Sequence, residues 1–274
     1  MAFKIIRITV ARWAPCLVLA LASFAPAAAS AQDAPVPAVG NRFSAAELRN
    51  ATHAGFDPRA FDGVADYRGD RDFPALLVNC VAHAPAGGTG PRRTRTPYAE
   101  SIQCFRADPA QDSRFATEVE RAATRGDIRE AEVAGDIVST EIYFRVMLDR
   151  EGGRPQVRYM PNWGYDADSY GLDYAAPQRI LGQERRANDQ AFTFNCGAAR
   201  FMTIVTVGAD GRPMGAVEFD PIEGDLTLDC EAAISALLGD ATFLPAQSNG
   251  MPVAARHVEI WGAGRRFRAE FFRY

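Results

Sequence analysis

FMTIVTVGADGRPMGAVEF, residues Phe201–Phe219, reads as two strands folded about one turn. Phe201–Val207 is rich in β-branched and aromatic side chains, which suit a pleated, half-buried surface. Ala209-Asp210-Gly211-Arg212 follows, a hairpin turn with the favoured Asp-Gly pair. Ala216–Phe219 is the return strand. Downstream, Asp229 is placed to cap a helix with Cys230, Ile234 and Leu237 on one face, ending at Gly239. Phe243-Leu244-Pro245-Ala246 and Asn249-Gly250-Met251-Pro252 then turn the chain into another strand. There Val258 and Ile260 point one way and His257, Glu259 and Trp261 the other. Arg266–Tyr274 reads as a last strand.

The preceding half repeats this order. Ser44 and Glu47 stand at capping-box spacing before a short helix, Ala45 to about Ala54. Ala75–Ala82 is an apolar run typical of a buried strand. Pro85–Pro97 is too rich in breakers to cross as a regular element. Tyr98–Phe105 is strand-like, and Phe115, Val119 and Ala122/Ala123 form a helix stripe closed at Gly126. From Ile137 the chain alternates, with Ile142, Phe144, Val146 and Leu148 on one face and Glu141, Tyr143, Arg145 and Met147 on the other. Glu151-Gly152-Gly153 turns it into Gln156–Tyr159.

Strand–strand–helix–strand therefore occurs twice, at residues 75–148 and 199–261. The fold class is α+β, two tandem units that are each a small antiparallel sheet with a helix packed on one face. The organisation expected is a signal peptide at 1–31, a leader with a short helix at 32–74, a first unit at 75–160, a linker at 161–198 and a second unit at 199–274. Beyond the signal stand four cysteines, Cys80, Cys104, Cys196 and Cys230. An even number in an exported chain reads as two disulfides, for which three connectivities exist. The repeated order favours pairing within halves, Cys80–Cys104 and Cys196–Cys230, each stabilising by roughly 3 kcal/mol. Cys230, near a helix N-terminus, would be the most reactive thiol if it were left free.

Residues 199–261 resemble a TonB C-terminal domain, the periplasmic module that touches outer-membrane receptors in Gram-negative bacteria. The likeness lies in the strand, the Ala209–Arg212 turn, the return strand, the helix Cys230–Leu238, Phe243-Leu244-Pro245-Ala246 and Gly250-Met251-Pro252-Val253. The first half is a weaker, degenerate copy, with Ala131–Gly135 in place of the Pro-Ala turn. The resemblance implies that an extended segment of an envelope or outer-membrane protein adds to the strand after the helix. Carried over by position, that strand is Ala255–Trp261, with Arg256, His257, Glu259 and Trp261 as selecting side chains, and Glu141–Leu148 is its first-half counterpart. Family energy transducers keep a membrane anchor and a long proline-rich spacer, whereas this N-terminus looks cleavable and Gln32–Arg42 is short.

Lys4, Arg7 and Arg12 precede an apolar run, Trp13–Ala29, and Ala29-Ser30-Ala31 suits cleavage after Ala31. No later stretch approaches the roughly 20 apolar residues of a membrane span. Removing three positive and no acidic side chains takes the formal charge from −4 to −7. A net acidic, exported chain does not suit nucleic acid, whose binding needs a positive face. The clusters Arg92-Arg93-Thr94-Arg95 and Arg265-Arg266-Phe267-Arg268 are read as solvated. Lys4 is the single lysine, so lysine nucleophiles and phosphate-loop lysines are excluded.

The three histidines, His53, His83 and His257, lie far apart in sequence, and no G-x-S-x-G elbow occurs. Asp166-Ala167-Asp168-Ser169-Tyr170-Gly171 fails as a calcium loop, with Tyr170 at a ligand position and Pro177 where the glutamate belongs. Trp163, Tyr165, Tyr170 and Tyr174 either stack on a ligand or anchor the linker. No catalytic, cofactor-binding or metal-ligating set emerges. The function expected is a soluble periplasmic or secreted binding or adaptor protein, not an enzyme. The alternatives are an exported enzyme or enzyme inhibitor with a site between the halves, or a structural envelope protein.

Overall fold

The computed structural model describes residues 43–87, 99–182, 196–197 and 199–262. The signal segment with its cleavage after Ala31, both arginine clusters and the strand Arg266–Tyr274 lie outside the described residues.

In chain order the elements are α1 (Ala45–Arg49), β1 (Gly55–Phe56), a 3-10 segment (Pro58–Asp66), β2 (Ala75–Ala84), β3 (Glu100–Arg106) and α2 (Ser113–Arg125). Then come β4 (Ile128–Arg129), β5 (Ala131–Val133), β6 (Asp136–Asp149), β7 (Gln156–Met160), α3 (Ala167–Tyr170) and β8 (Gln178–Leu181). The chain continues with β9 (Arg200–Val207), β10 (Pro213–Glu223), α4 (Leu228–Gly239), β11 (Phe243–Leu244), β12 (Ala246–Ser248), β13 (Met251–Val253) and β14 (Ala255–Trp261).

The α+β class holds, with antiparallel pairing throughout the described sheets. In the first half β2 is central, with β3 on one side and β6 on the other. In the second half β9 is central, between β10 and β14. Each half thus places its first strand in the middle and the strand after its helix on the far side. The halves are not separate, because β11 pairs β8 and so extends the first-half sheet. The segment expected as a linker supplies that β8, which pairs β6 at Ser139 and Thr140. All the described residues belong to one compact unit.

Period-2 alternation decides what each sheet face touches. Leu76, Val78, Cys80 and Ala82 of β2, with Ile142, Phe144, Val146 and Leu148 of β6, pack against Phe115, Val119 and Ala123 of α2. Fully burying a side chain such as Phe115 or Val119 contributes about 1.5–3 kcal/mol. Phe201, Val205 and Val207 of β9 pack against Cys230, Ile234 and Leu238 of α4. The remaining faces meet each other through Phe105, Val81 and Tyr143 on one sheet and Met202, Ile204, Val258 and Ile260 on the other. The layer order is helix, sheet, sheet, helix.

Local readings shift by a residue or two. The Ser44/Glu47 capping box forms, but α1 stops at Arg49 because Thr52 exchanges backbone hydrogen bonds with Glu132. Thr227, not Asp229, caps α4, its Oγ1 accepting from Cys230 N at 3.2 Å. Gly211 sits at φ +78° under the Phe243 carbonyl, where a β-carbon would collide, and its own carbonyl accepts from Phe243 N at 3.0 Å. The hairpin turn thereby holds β11 in place.

Candidate functional site

The strand expected to receive a peptide is β14, and its four selecting residues divide. Arg256 is exposed, but His257, Glu259 and Trp261 are 1%, 3% and 9% exposed. The predicted alternation is present, yet these three side chains point to the closed α4 side. They are therefore not presented to a partner: Phe243 and Tyr143 contact the His257 ring, and Arg179 covers Trp261 and Glu259.

The open side of β14 is occupied by side chains of the first half and of the segment expected as a linker. Arg256 N–H donates to Asp166 Oδ2 at 2.7 Å, and Arg256 Nε to Asp166 Oδ1 at 3.0 Å. Ile260 N–H donates to Tyr143 Oη at 3.4 Å, while that hydroxyl donates to Glu141 Oε2 at 3.0 Å. Other edges follow the same rule. Cys104 N of β3 donates to Glu120 of α2 at 2.8 Å, and Phe56 N of β1 to Tyr159 Oη at 3.4 Å. Gln178 brackets Ala54, accepting from its N–H at 3.0 Å and donating to its carbonyl at 2.7 Å. On β10, Pro213 and Pro221 carry no N–H, and the register breaks between Met214 and Glu218. Prolines and bulges of this kind blunt an edge against strand pairing.

Beneath β14 lies a buried ionic group. Arg179 Nη2 from β8 binds Glu259 Oε1, and Arg179 lies over the Trp261 ring, 5.6 Å from its centre. His257 Nδ1 meets the Pro177 carbonyl at 3.0 Å, so Nδ1 must carry the proton. Its Nε2 is 3.6 Å from Glu259 Oε2, too far for a hydrogen bond. Burial pushes the Glu259 carboxyl up, but Arg179 and then His257 outweigh it and hold the group below its ordinary value. Burial opposes the Arg179 charge, and Glu259 with Glu141 outweighs that and raises its pKa. These groups are largely buried, which suits a tie between the two sheets rather than a reacting centre.

A cleft of about 640 Å3 opens elsewhere, lined by His53, Phe56, Asp57, Asp127, Arg129, Tyr159 and Asp173 among others. It lies where β1 pairs β4 and where β7 gives way to Pro161. Three aspartates and one arginine line it, and Asp173 is paired with Arg158 at 2.7 Å. Arg129 Nε donates to the His53 carbonyl at 3.0 Å. Tyr159 is half-buried, and its desolvation pushes the hydroxyl up to about 12. His53 is 4% exposed, and neither ring nitrogen has a partner at hydrogen-bond geometry. Burial drives its pKa down to about 4; the nearby Pro245 carbonyl opposes this only in part, and Arg129 adds to the fall.

His53 makes stability depend on pH with a defined sign. Its folded pKa lies below its unfolded value, so the unfolded chain takes up the proton first. The full contribution is present above pH ~6.5 and is lost as pH falls toward about 4, by about 3 kcal/mol in all. Urea unfolding across that range will show the loss in the wild type and a flattened profile in His53→Phe. An unchanged profile would refute a buried neutral His53. Nothing in the sequence marks this residue, because the groups around it come from β4, β7 and the Pro245 turn.

Both disulfides form within halves, and Cys230 is a disulfide partner rather than a free thiol. The aromatic residues after β7 act as anchors. Trp163 Nε1 donates to the Cys80 carbonyl at 2.8 Å, and Tyr170 Oη to the Ala254 carbonyl at 2.7 Å. Among the described residues no group of three His, Cys, Asp or Glu is placed to hold a metal ion, and no helix is long and apolar enough to cross a membrane. No protein-family model, curated protein or solved structure matches this chain.

Proposed function

We propose that the chain is a periplasmic binding or adaptor protein that docks a segment of another envelope protein, and that the segment enters the His53 cleft rather than adding to β14. The cleft carries this reading. Its lining brings the exposed aspartates Asp57, Asp127 and Asp173 together beside Phe56 and Ile128, which are themselves largely buried in the core. Such a lining favours a segment with a basic side chain, and the acidic charge of the whole chain steers the same kind of partner. The disulfides fit folding in an oxidising compartment. The family resemblance of residues 199–261 supports an envelope partner. Addition to β14 would first have to displace Asp166 and Tyr143 from its backbone donors.

NMR titration of the oxidised chain from Gln32 onward tests this, using plug peptides of outer-membrane receptors with and without a basic residue. Saturable shifts at His53–Asp57 and Asp127–Arg129, stronger with the basic peptides, are the expected result. Shifts confined to Ala255–Trp261 would establish strand addition instead. No shifts at millimolar peptide would remove both docking modes.

A further inference from the structure

Asn79 and Arg145 stand opposite each other on β2 and β6, within a row Phe105–Asn79–Arg145–Met160 that crosses β3, β2, β6 and β7. Directly opposed residues on antiparallel strands share a face, with Cβ atoms about 5 Å apart. The face is the one between the two sheets. Asn79 is 0% exposed and Arg145 8%. Arg145 Nη2 donates to Asn162 Oδ1 at 3.1 Å. That oxygen is aimed by the Asn162 amide, which donates to the Leu172 and Tyr174 carbonyls, both at 2.8 Å. Arg145 Nε has no acceptor, and neither Oδ1 nor Nδ2 of Asn79 has a partner. Gly164, at φ +84°, lets its backbone lie against the guanidinium where a β-carbon would collide.

Among the described residues no carboxylate pairs with Arg145, although the ion pairs of this fold match arginine with acid elsewhere. Arginine does not lose its proton in proteins, so this charge is held inside without a counter-charge. Burial pushes the guanidinium below its ordinary value, with Tyr174 opposing. A buried charge is stable only when paired, and a buried amide only when hydrogen-bonded. The orphaned donors Arg145 Nε and Asn79 Nδ2 occupy neighbouring positions on one sheet face. We infer that they form a buried site for one small monovalent anion.

Bromide is the probe, with formate as the carboxylate arm. Crystals of the oxidised chain soaked in bromide will show an anomalous peak within hydrogen-bond reach of Arg145 Nε and Asn79 Nδ2. Displacement by formate assigns the site to small carboxylates as well as halides, and its persistence restricts it to halides. In solution the folding equilibrium constant rises tenfold per tenfold of bromide above saturation. Asn79→Asp supplies the counter-charge from the chain itself, so it raises the Tm in low salt and abolishes the specific bromide dependence. General salt effects remain in that variant and serve as the reference. Equal bromide dependence in both proteins, or density at the site with no anomalous signal, overturns the proposal.

Discussion

Replacing Glu259 by leucine destabilises the fold by about 3–5 kcal/mol, and replacing Arg179 by methionine costs about as much. The two residues sit on different sheets, Arg179 on β8 and Glu259 on β14, and both side chains are almost entirely buried. Either single change leaves one ion inside with its partner gone. Leucine at 259 strands Arg179 against the Trp261 ring, and methionine at 179 leaves Glu259 with His257. The expense lies mainly in the stranded charge rather than in the worth of the bond, so the double variant Arg179→Met/Glu259→Leu regains most of the loss. Urea unfolding of the three variants and the wild type gives the coupling energy directly. Losses that simply add would refute a coupled pair. A pH effect accompanies it: because the Glu259 pKa is depressed in the folded state, its contribution is complete above the ordinary carboxylate range and fades as pH falls below that range. The His53 loss sets in at higher pH, so the two processes separate along the pH axis.

The second large effect is that of the Cys196–Cys230 disulfide. Its partners are 34 residues apart, and the chain-entropy relation for such a loop predicts a loss of about 4 kcal/mol in Cys196→Ala/Cys230→Ala. The bridge ties the chain just before β9 to the first turn of α4, and both sulfurs lie in the second-half core. The helix itself persists in the variant, because Thr227 still caps it through Cys230 N, a backbone group. Cys80–Cys104 closes a shorter loop, 24 residues apart, worth about 3.5 kcal/mol on the same relation. Cys80 is also fully buried against α2, so alanine there adds a packing loss. Denaturant unfolding of the two double-alanine variants separates these contributions. A loss below about 1 kcal/mol for Cys196→Ala/Cys230→Ala would contradict the loop-constraint account.

Much of the architecture was legible because it rests on local rules. Asp210-Gly211 specified a hairpin, and the alternation through β6 and β14 placed Ile142, Phe144 and Val258 on their proper faces. The repeated element order led to the disulfide pairing within halves. Alternation tells which residues share a face, but not which face meets solvent. His257, Glu259 and Trp261 were correctly set opposite Val258 and Ile260, and yet both sets are covered, one by α4, β11 and β8 and the other by the first sheet. Polar character in a strand suggested exposure; here it supplied a buried ion pair.

By itself the sequence determined the α+β class, the order strand–strand–helix–strand in each half, the hairpin at Asp210-Gly211 and the capping box at Ser44 and Glu47, and it favoured pairing the cysteines within halves. These follow from interactions among residues close along the chain, or from a repeat that spacing reveals. Tertiary structure alone decided that the two sheets stack face to face, that β8 from the expected linker joins β6 to β11, and that Asp166, Tyr143, Glu120 and Gln178 occupy outward backbone donors. It alone decided that His53 lines a cleft and that Arg145 faces Asn79. Each of these joins residues tens of positions apart, and their pairing is set by the packing of whole elements, which no local pattern encodes.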